Sequence, residues 1–409
     1  MDRINLNNGL TCYIHKHDNE INFNGAMAAL IIRAGSNNEK EDEQGIYHFL
    51  EHMNVHLMPW LPSIKEETLE PIRYAYTNFN ETVYVFMNLF KKYENHFITG
   101  CINTMKHILN RDFLSETLLP YVREDVLKEY EATDFNKAVA ISRLFQSESY
   151  NITLPIGNIT CIKRFNYNDL ITHHNKLYLP ENAAVVIIGG VNAQQTADII
   201  KNAFSARCES GYLIKRLIKT VVMEQNFANT EIESYSYNED NSRIYFLSKT
   251  KREWICLNKH IEDALCIHLA IDEIKLAAYN FLNEKGITAS EINGSVEIFS
   301  YDWYIIRLDI AFRTDTGFKD RHLEQCIKRL KPELSIFNQV KIDFMRQIET
   351  SPHYDTYQLL GEYIEHYLYN EPIFDLNDEI NHIYQAINKI DYDMVSERYR
   401  EIISNLIVI

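Results

Sequence analysis

The sequence has few cysteines, and their spacing gives no pairs. Seven cysteines are spread over 409 residues, and no two of them stand at C-x-x-C spacing. A disulfide framework requires paired cysteines and is typical of small secreted domains. The sequence therefore predicts reduced, buried thiols and no disulfides.

A long hydrophobic run is also absent. No stretch reaches about 18 apolar residues, the length that a membrane-spanning helix needs. The first residues contain no apolar core of the kind found in a secretory signal peptide. We therefore expect a cytoplasmic protein with no membrane partner.

Positive charge is scarce as well. Lys and Arg number 41 against 57 Asp and Glu, so the formal net charge is −16. Nucleic-acid binding needs a basic face that neutralises phosphates. This charge balance argues against a nucleic-acid partner and favours neutral or basic peptides as ligands.

The order of the elements repeats along the chain. A length of 409 residues predicts two domains. Strand-like segments open the chain, a helical pattern begins at Ile46, and further strands and helices follow. The second half shows the same succession. We therefore predict an α+β protein with two topologically similar domains, 1–208 and 226–409, joined by a boundary in 206–225.

The strongest chemical signal is the segment His48-Phe49-Leu50-Glu51-His52 on the first predicted helix. Residues four apart share a helical face, so both imidazoles can clamp one zinc ion. Glu51 can face the same ion without binding it and can take a proton from the attacking water. His-x-x-Glu-His is the inverzincin signature of zinc peptidases.

A catalytic zinc needs a third protein ligand and one open position. The downstream candidates are Glu116, Glu124, Glu129 and Glu131. Two alternatives stay open. One is a histidine pair without a metal ion, since such pairs are common on exposed helices. The other is a structural zinc, which would recruit a fourth protein ligand. His56 continues the four-residue series, but a helix-end histidine is the simpler explanation.

The stretch GIYHFLEHM resembles the signature of the insulinase/pitrilysin family of zinc peptidases. In that family the third ligand is a Glu in the pattern Val-x-x-Glu on a long helix. Val126-Leu127-Lys128-Glu129 matches this pattern, and Glu129 follows His52 by 77 residues. The resemblance therefore implies that Zn²⁺ is held by His48, His52 and Glu129, with Glu51 as the catalytic base.

Other segments extend the resemblance through the first domain. Residues 75–86 are similar to the strand-turn-strand that follows the zinc helix in the family, and 178–191 to its Gly-terminated strand. This implies that substrate binds to the main chain of Ala75, Tyr76 and Thr77. Tyr74 replaces the Asn of the family, which affects side-chain contacts more than these main-chain contacts. The implied fold is a pair of α+β domains, each a mostly antiparallel sheet backed by helices.

The sequence departs from the family near the third ligand. Val122 stands seven residues before Glu129, where the family often has a Glu. Asp125, one helical turn before Glu129, is a candidate hydrogen-bond acceptor for a metal-binding histidine. An exposed surface Asp is the simpler explanation of this residue.

The largest departure lies in the second domain. Complete enzymes of the family use an Arg and a Tyr there to contact the substrate carbonyl, but Asn283 stands in the Arg position and Ala289 or Ser290 in the Tyr position. Members with one domain pair usually form dimers that enclose substrate. The resemblance thus implies a zinc metalloendopeptidase for extended peptides or peptide precursors, acting as the zinc-bearing subunit of a heterodimer. A related two-domain subunit would supply the Arg and Tyr. The alternative is a non-catalytic scaffold or peptide-binding subunit.

Overall fold

A computed structural model describes two compact units of the chain. The described residues are 2–16, 25–57, 72–88, 94–133, 140–141, 144–145, 153–204, 241–252, 254–313, 320–350 and 356–408. The first unit contains the described residues up to 133, together with 153–204 and 356–373. The second contains those of 140–145, 241–350 and 374–408. The predicted boundary at 206–225 lies outside the described residues, so the division into 1–208 and 226–409 stays a prediction.

The first unit is built on a six-stranded sheet. Its strands are β1 (Asp2–Asn5), β2 (Thr11–Lys16), β3 (Ala26–Ile32), β4 (Ile72–Thr77), β5 (Thr82–Asn88) and β6 (Ala183–Gly189). The spatial order is β1-β2-β6-β3-β5-β4, and of the described pairs only β2–β6 is parallel. β3 and β6 are apolar and buried throughout, which suits central strands covered on both faces. β4 pairs with β5 alone among the described strands and forms an edge of the sheet.

Helices cover one face of this sheet and bury the main core of the unit. They are α1 (Ile46–Leu57), α2 (Glu94–Leu109), α3 (Leu119–Ala132), α4 (Ile159–Arg164), α5 (Tyr167–Leu177) and α6 (Ala193–Phe204). The apolar side chains of α1 and α3 share one buried cluster with alternate residues of β3, such as Ala28 and Leu30. This packing fixes the helix that carries the His-x-x-Glu-His segment.

The second unit is a four-stranded antiparallel sheet backed by helices. Its strands β7 (Asn241–Lys251), β8 (Ala289–Ile298), β9 (Trp303–Arg313) and β10 (Ile407–Val408) lie in the order β10-β7-β9-β8. Described helices of the second unit include α7 (Leu257–Glu284), α8 (Asp320–Ile327), α9 (Leu334–Thr350), α11 (Leu376–Ile387) and α12 (Tyr392–Ser404). The 28-residue α7 contributes much of the apolar side of this core.

One helix from late in the chain, α10 (Thr356–Tyr369), belongs to the first unit. It packs on β3 and β6. The hydroxyl of Tyr363 lies 2.9 Å from Nδ1 of His15, and the guanidinium of Arg33 lies 3.8 Å from the ring centroid of Tyr367. This cover explains why the central strands are buried on both faces.

The predicted α+β class is confirmed. Both units contain a mostly antiparallel sheet backed by helices, as the resemblance implied. Within the part of the chain that the structure describes, no helix combines the length and the apolar character needed to cross a bilayer.

Candidate metal centre

The start of α1 is fixed by a buried carboxylate. Glu39 accepts hydrogen bonds from the backbone N–H of Gly45 at 2.8 Å and of Tyr47 at 3.1 Å. The first N–H groups of a helix lack partners within the helix, and a carboxylate also suits the positive end of the helix dipole. Burial raises the pKa of Glu39 well above its usual value, and the backbone hydrogen bonds oppose that shift.

Two glycines allow a second segment to pack closely against the start of α1. Gly45 has φ +93° and Gly157 has φ +80°, both in the left-handed region that glycine tolerates. A Cβ atom on Gly157 would lie 2.4 Å from the Cα of Gly45. The segment around Gly157 can therefore pack against the start of α1 only because neither residue has a side chain.

Three potential ligand atoms meet where α1 faces α3. Nε2 of His52 lies 3.1 Å from Nε2 of His48 and 3.0 Å from Oε2 of Glu129. Nε2 of His48 lies 3.4 Å from the same carboxylate oxygen. The side chains of His48, His52 and Glu129 are 7, 26 and 50% exposed, so the cluster opens to solvent on the Glu129 side. Together they form a group that can bind a metal ion.

The spacing of these atoms fits a tetrahedral zinc ion. Zinc binds His nitrogens and carboxylate oxygens at roughly 2.0–2.1 Å, which places tetrahedral ligand atoms roughly 3.3 Å apart. The three observed separations, 3.0, 3.1 and 3.4 Å, lie close to this value. Among the described residues no fourth His, Cys, Asp or Glu joins the group.

Without a metal ion, electrostatics pair the carboxylate of Glu129 with the two imidazoles. Hydrogen bonds with His48 and His52 hold the pKa of Glu129 well below its usual range. Burial alone would lower the pKa of His52, but the bond with Glu129 and the charges of Glu51 and Glu129 outweigh burial and raise it. Glu129 is thus an anion placed to compensate positive charge on the α1 face.

Glu51 lies beside the cluster and outside the ligand group. Its Oε2 lies 4.0 Å from Nε2 of His48, and its side chain is only 8% exposed. Burial raises the pKa of Glu51, whereas the neighbouring His48 and His52 lower it. The same oxygen accepts a hydrogen bond from Oγ1 of Thr77 at 3.3 Å. The sequence prediction included Thr77 for its main chain only and missed this side-chain contact.

The other sequence candidates lie elsewhere on the surface. Glu116 and Glu131 are exposed, and Glu124 pairs with Lys128 at 2.8 Å. His56 is exposed in the last turn of α1. None of these belongs to the ligand group.

The surroundings of the candidate ligand His48 depart from the usual pattern of a metal-binding histidine. A metal-binding His commonly donates its second ring N–H to an acceptor. Nδ1 of His48 is buried without a hydrogen-bond partner among the described residues. Asp125 is half-exposed and lies 3.9 Å from Lys128, which agrees with a surface position. Val122 is buried in the core of the unit.

The predicted substrate-binding residues Ala75, Tyr76 and Thr77 form the end of β4. β4 is the sheet edge described above, and its partner β5 covers only one of its sides. The bond from Thr77 to Glu51 brings this edge next to α1. A strand edge with unpaired main-chain groups can accept a further strand.

In the second unit, the region compared with the Arg/Tyr pair runs from α7 into β8. Asn283 is exposed in the last turn of α7, and Gly286 follows with φ +71°. Ala289 opens β8, and Oγ of Ser290 donates a hydrogen bond to the carbonyl oxygen of Ala311 at 3.2 Å. These side chains do not provide a guanidinium or a phenol.

Two family models match this chain. The model described as insulinase, peptidase family M16, matches residues 20–155, and the model described as the peptidase M16 inactive domain matches residues 164–263. Together they cover more than half of the chain.

Curated relatives agree with these models. The probable zinc protease PqqL of Haemophilus influenzae is 26% identical over 224 residues, which are 49% of this chain and 22% of that protein. The mitochondrial-processing peptidase subunit beta of Neurospora crassa is 26% identical over 185 residues, which are 42% of this chain and 37% of that protein. The chain covers less than half the length of the curated relatives that it matches.

Solved structures share the fold. The periplasmic protease PqqL from Escherichia coli matches with a TM-score of 0.75 at 15% identity, over 100% of this chain and 47% of that chain. A protease from Helicobacter pylori matches with a TM-score of 0.68 at 17% identity, over 100% of this chain and 98% of that chain. With family models matched over 20–155 and 164–263, more than half of its length, this chain belongs to the insulinase family of peptidases, peptidase family M16.

Proposed function

We propose that this chain is a zinc metalloendopeptidase that cleaves extended peptides or peptide precursors and works as the zinc-bearing subunit of a heterodimer. The observation that carries the proposal is the convergence of His48, His52 and Glu129 at separations of 3.0–3.4 Å, with the carboxylate of Glu51 beside them. Membership of a peptidase family supports the same chemistry.

Each of these side chains has a role in hydrolysis. His48, His52 and Glu129 would hold zinc, and Glu51 would take a proton from the attacking water and pass it to the leaving amine. A zinc ion bound there supplies Lewis-acid polarisation of the peptide carbonyl and lowers the pKa of water. Three protein ligands with one open position are typical of catalytic zinc, whereas structural zinc is closed by four.

The edge of the first sheet suits an extended substrate. β4 offers main-chain donors and acceptors next to Glu51, at Ala75, Tyr76 and Thr77. Strand addition draws affinity from main-chain hydrogen bonds and so tolerates many side chains. Substrates would be unfolded segments, because a folded segment cannot present its main chain to an edge strand.

The second half of the proposed site comes from another subunit. Asn283, Ala289 and Ser290 offer no cationic or phenolic donor to a substrate carbonyl. One relative, the mitochondrial-processing peptidase beta protein, is itself named as a subunit. The alternative, a non-catalytic scaffold, gives no reason for a buried Glu51 beside three clustered ligands.

The cytoplasmic location stays a prediction, since one structural neighbour is a periplasmic protease.

Replacing one metal ligand should remove zinc. His52→Ala should lower bound zinc from one equivalent per chain to near zero, because two remaining ligands hold the ion poorly. His56→Ala, one turn further along α1 and outside the ligand group, is the matched control and should keep one equivalent. The measurement is metal content by mass spectrometry after dialysis. A full equivalent of zinc in His52→Ala would show that the ligand assignment is wrong.

Replacing the base should separate zinc binding from chemistry. Glu51→Gln keeps the size of the side chain but cannot accept the proton, so zinc content should persist while kcat falls by about 10²–10⁴-fold. Glu124→Gln, an exposed change on α3, should leave both unchanged. Peptide cleavage is followed by mass spectrometry. Activity of Glu51→Gln within a few-fold of the parent would remove Glu51 from the mechanism.

The rate of cleavage should depend on main-chain amide groups of the substrate. N-methylation of a peptide amide close to the cleaved bond removes a donor and should strongly slow cleavage, whereas N-methylation many residues away should not. Rates for a set of singly methylated peptides give the comparison. Equal rates for every peptide, or efficient cleavage of exposed helices in folded proteins, would contradict strand addition at β4.

The isolated chain should be a poor catalyst. A preorganised donor to the developing oxyanion is worth about 10²–10³-fold in rate, so a two-domain partner that provides an Arg and a Tyr should raise kcat by that order. The assay compares this chain alone, the chain with a candidate partner, and the same partner with its Arg and Tyr replaced. Full activity of the isolated chain, unchanged by the partner, would refute the heterodimer and leave the zinc site intact.

A further inference from the structure

The hydroxyl of Thr77 lies between two oxygens at equal distance. Its Oγ1 is 3.3 Å from Oε2 of Glu51 and 3.3 Å from Oγ1 of Thr82. Thr77 ends β4 and Thr82 begins β5, and the two residues face each other across the strand pair. A contact with the edge strand therefore fixes the orientation of the Glu51 carboxylate on α1.

The proton of Thr82 is already committed. Oγ1 of Thr82 donates to the backbone carbonyl oxygen of Ala34 at 2.7 Å, and Thr82 is fully buried. A hydroxyl has one proton and two acceptor sites. Thr82 can therefore only accept from Thr77, whereas Thr77 can turn its single proton toward either neighbour.

Of its two neighbours, the Glu51 carboxylate is the stronger acceptor for Thr77, because a hydrogen bond to an ionised group is stronger than one to a neutral hydroxyl. An ionised carboxylate only accepts, so Thr77 then donates to Oε2 of Glu51.

We propose that Thr77 is a positioning residue that holds the Glu51 carboxylate in place, with a hydroxyl that Thr82 cannot supply with a proton because Thr82 donates to Ala34. The proposal rests on the role proposed for Glu51 in hydrolysis. It assigns the side chain of Thr77 to Glu51, so that substrate meets only the main chain at this position.

An infrared measurement on the zinc-loaded protein tests the contact without any cleavage assay. The carboxyl bands of Glu51 are identified by their loss in Glu51→Gln. Thr77→Val keeps the shape and the strand preference of the side chain but has no hydroxyl, so the Glu51 bands should shift. Thr77→Ser restores the hydroxyl and should return them to the parent position. Glu51 bands that are identical in Thr77→Val and parent would overturn the proposal.

Kinetics provide the second test. Thr77→Val should keep one zinc per chain and an unchanged KM but lose roughly 10- to 100-fold in kcat, the scale of one hydrogen bond to a charged group, and Thr77→Ser should recover most of it. Thr172→Val, which removes a hydroxyl bonded within α5, is the control. Loss of zinc, or a raised KM with unchanged kcat, would overturn the positioning role.

A double variant distinguishes this proposal from the proposed peptidase function on which it rests. If Thr77 acts through Glu51, Thr77→Val should cost nothing further in the Glu51→Gln background. If Thr77→Val lowers kcat in the Glu51→Gln background as much as it does in the parent, Thr77 acts on substrate or metal instead. If Glu51→Gln itself cleaves at the parent rate, the proposed function fails, and the infrared bands still decide whether Thr77 holds Glu51.

Discussion

The site depends on the packing of α1 against α3. His48 and His52 can meet Glu129 only if the two helices hold a fixed separation, because the three ligand atoms lie 3.0–3.4 Å apart. Buried Val122 and Val126 set that separation from α3. The packing of α1 against α3 also determines where Glu51 lies relative to the three ligand atoms and to the nearby strand edge.

Distant parts of the chain keep α1 in that position. Its start is bound by the Glu39 carboxylate and by the close approach of Gly45 and Gly157, which allows no side chain on either residue. Arg123 on α3 donates to the carbonyl oxygen of Ile162 at 3.2 Å and so ties the partner helix to α4. Placing a buried carboxylate such as Glu51 costs free energy unless donors surround it, and the Thr77 hydroxyl at the sheet edge is one such donor. The residues proposed as metal ligands, base and substrate edge thus lie on elements that these contacts join.

The sequence predicted what is local or periodic. The positions of His48 and His52 on one helical face follow from their four-residue spacing, and the α+β class followed from the order of the elements and the family resemblance. Glu129 lies 77 residues from His52, and the family resemblance alone selects it from the four candidate glutamates, since no local pattern joins the two residues. Thr77 and Glu51 belong to different elements, so their hydrogen bond has no signal in the sequence. Nor does the order of the helices reveal that α10 packs on the first sheet, because any amphipathic helix could cover either sheet.

The central claim is that two imidazoles and one carboxylate hold a zinc ion with an open position, and zinc-edge X-ray absorption on the metal-loaded protein tests it most directly, together with an anomalous difference map. The account predicts nitrogen and oxygen neighbours at about 2.0–2.1 Å and an anomalous peak between His48, His52 and Glu129. A sulfur neighbour at about 2.3 Å, a fourth protein ligand, or a peak away from these three side chains would contradict it.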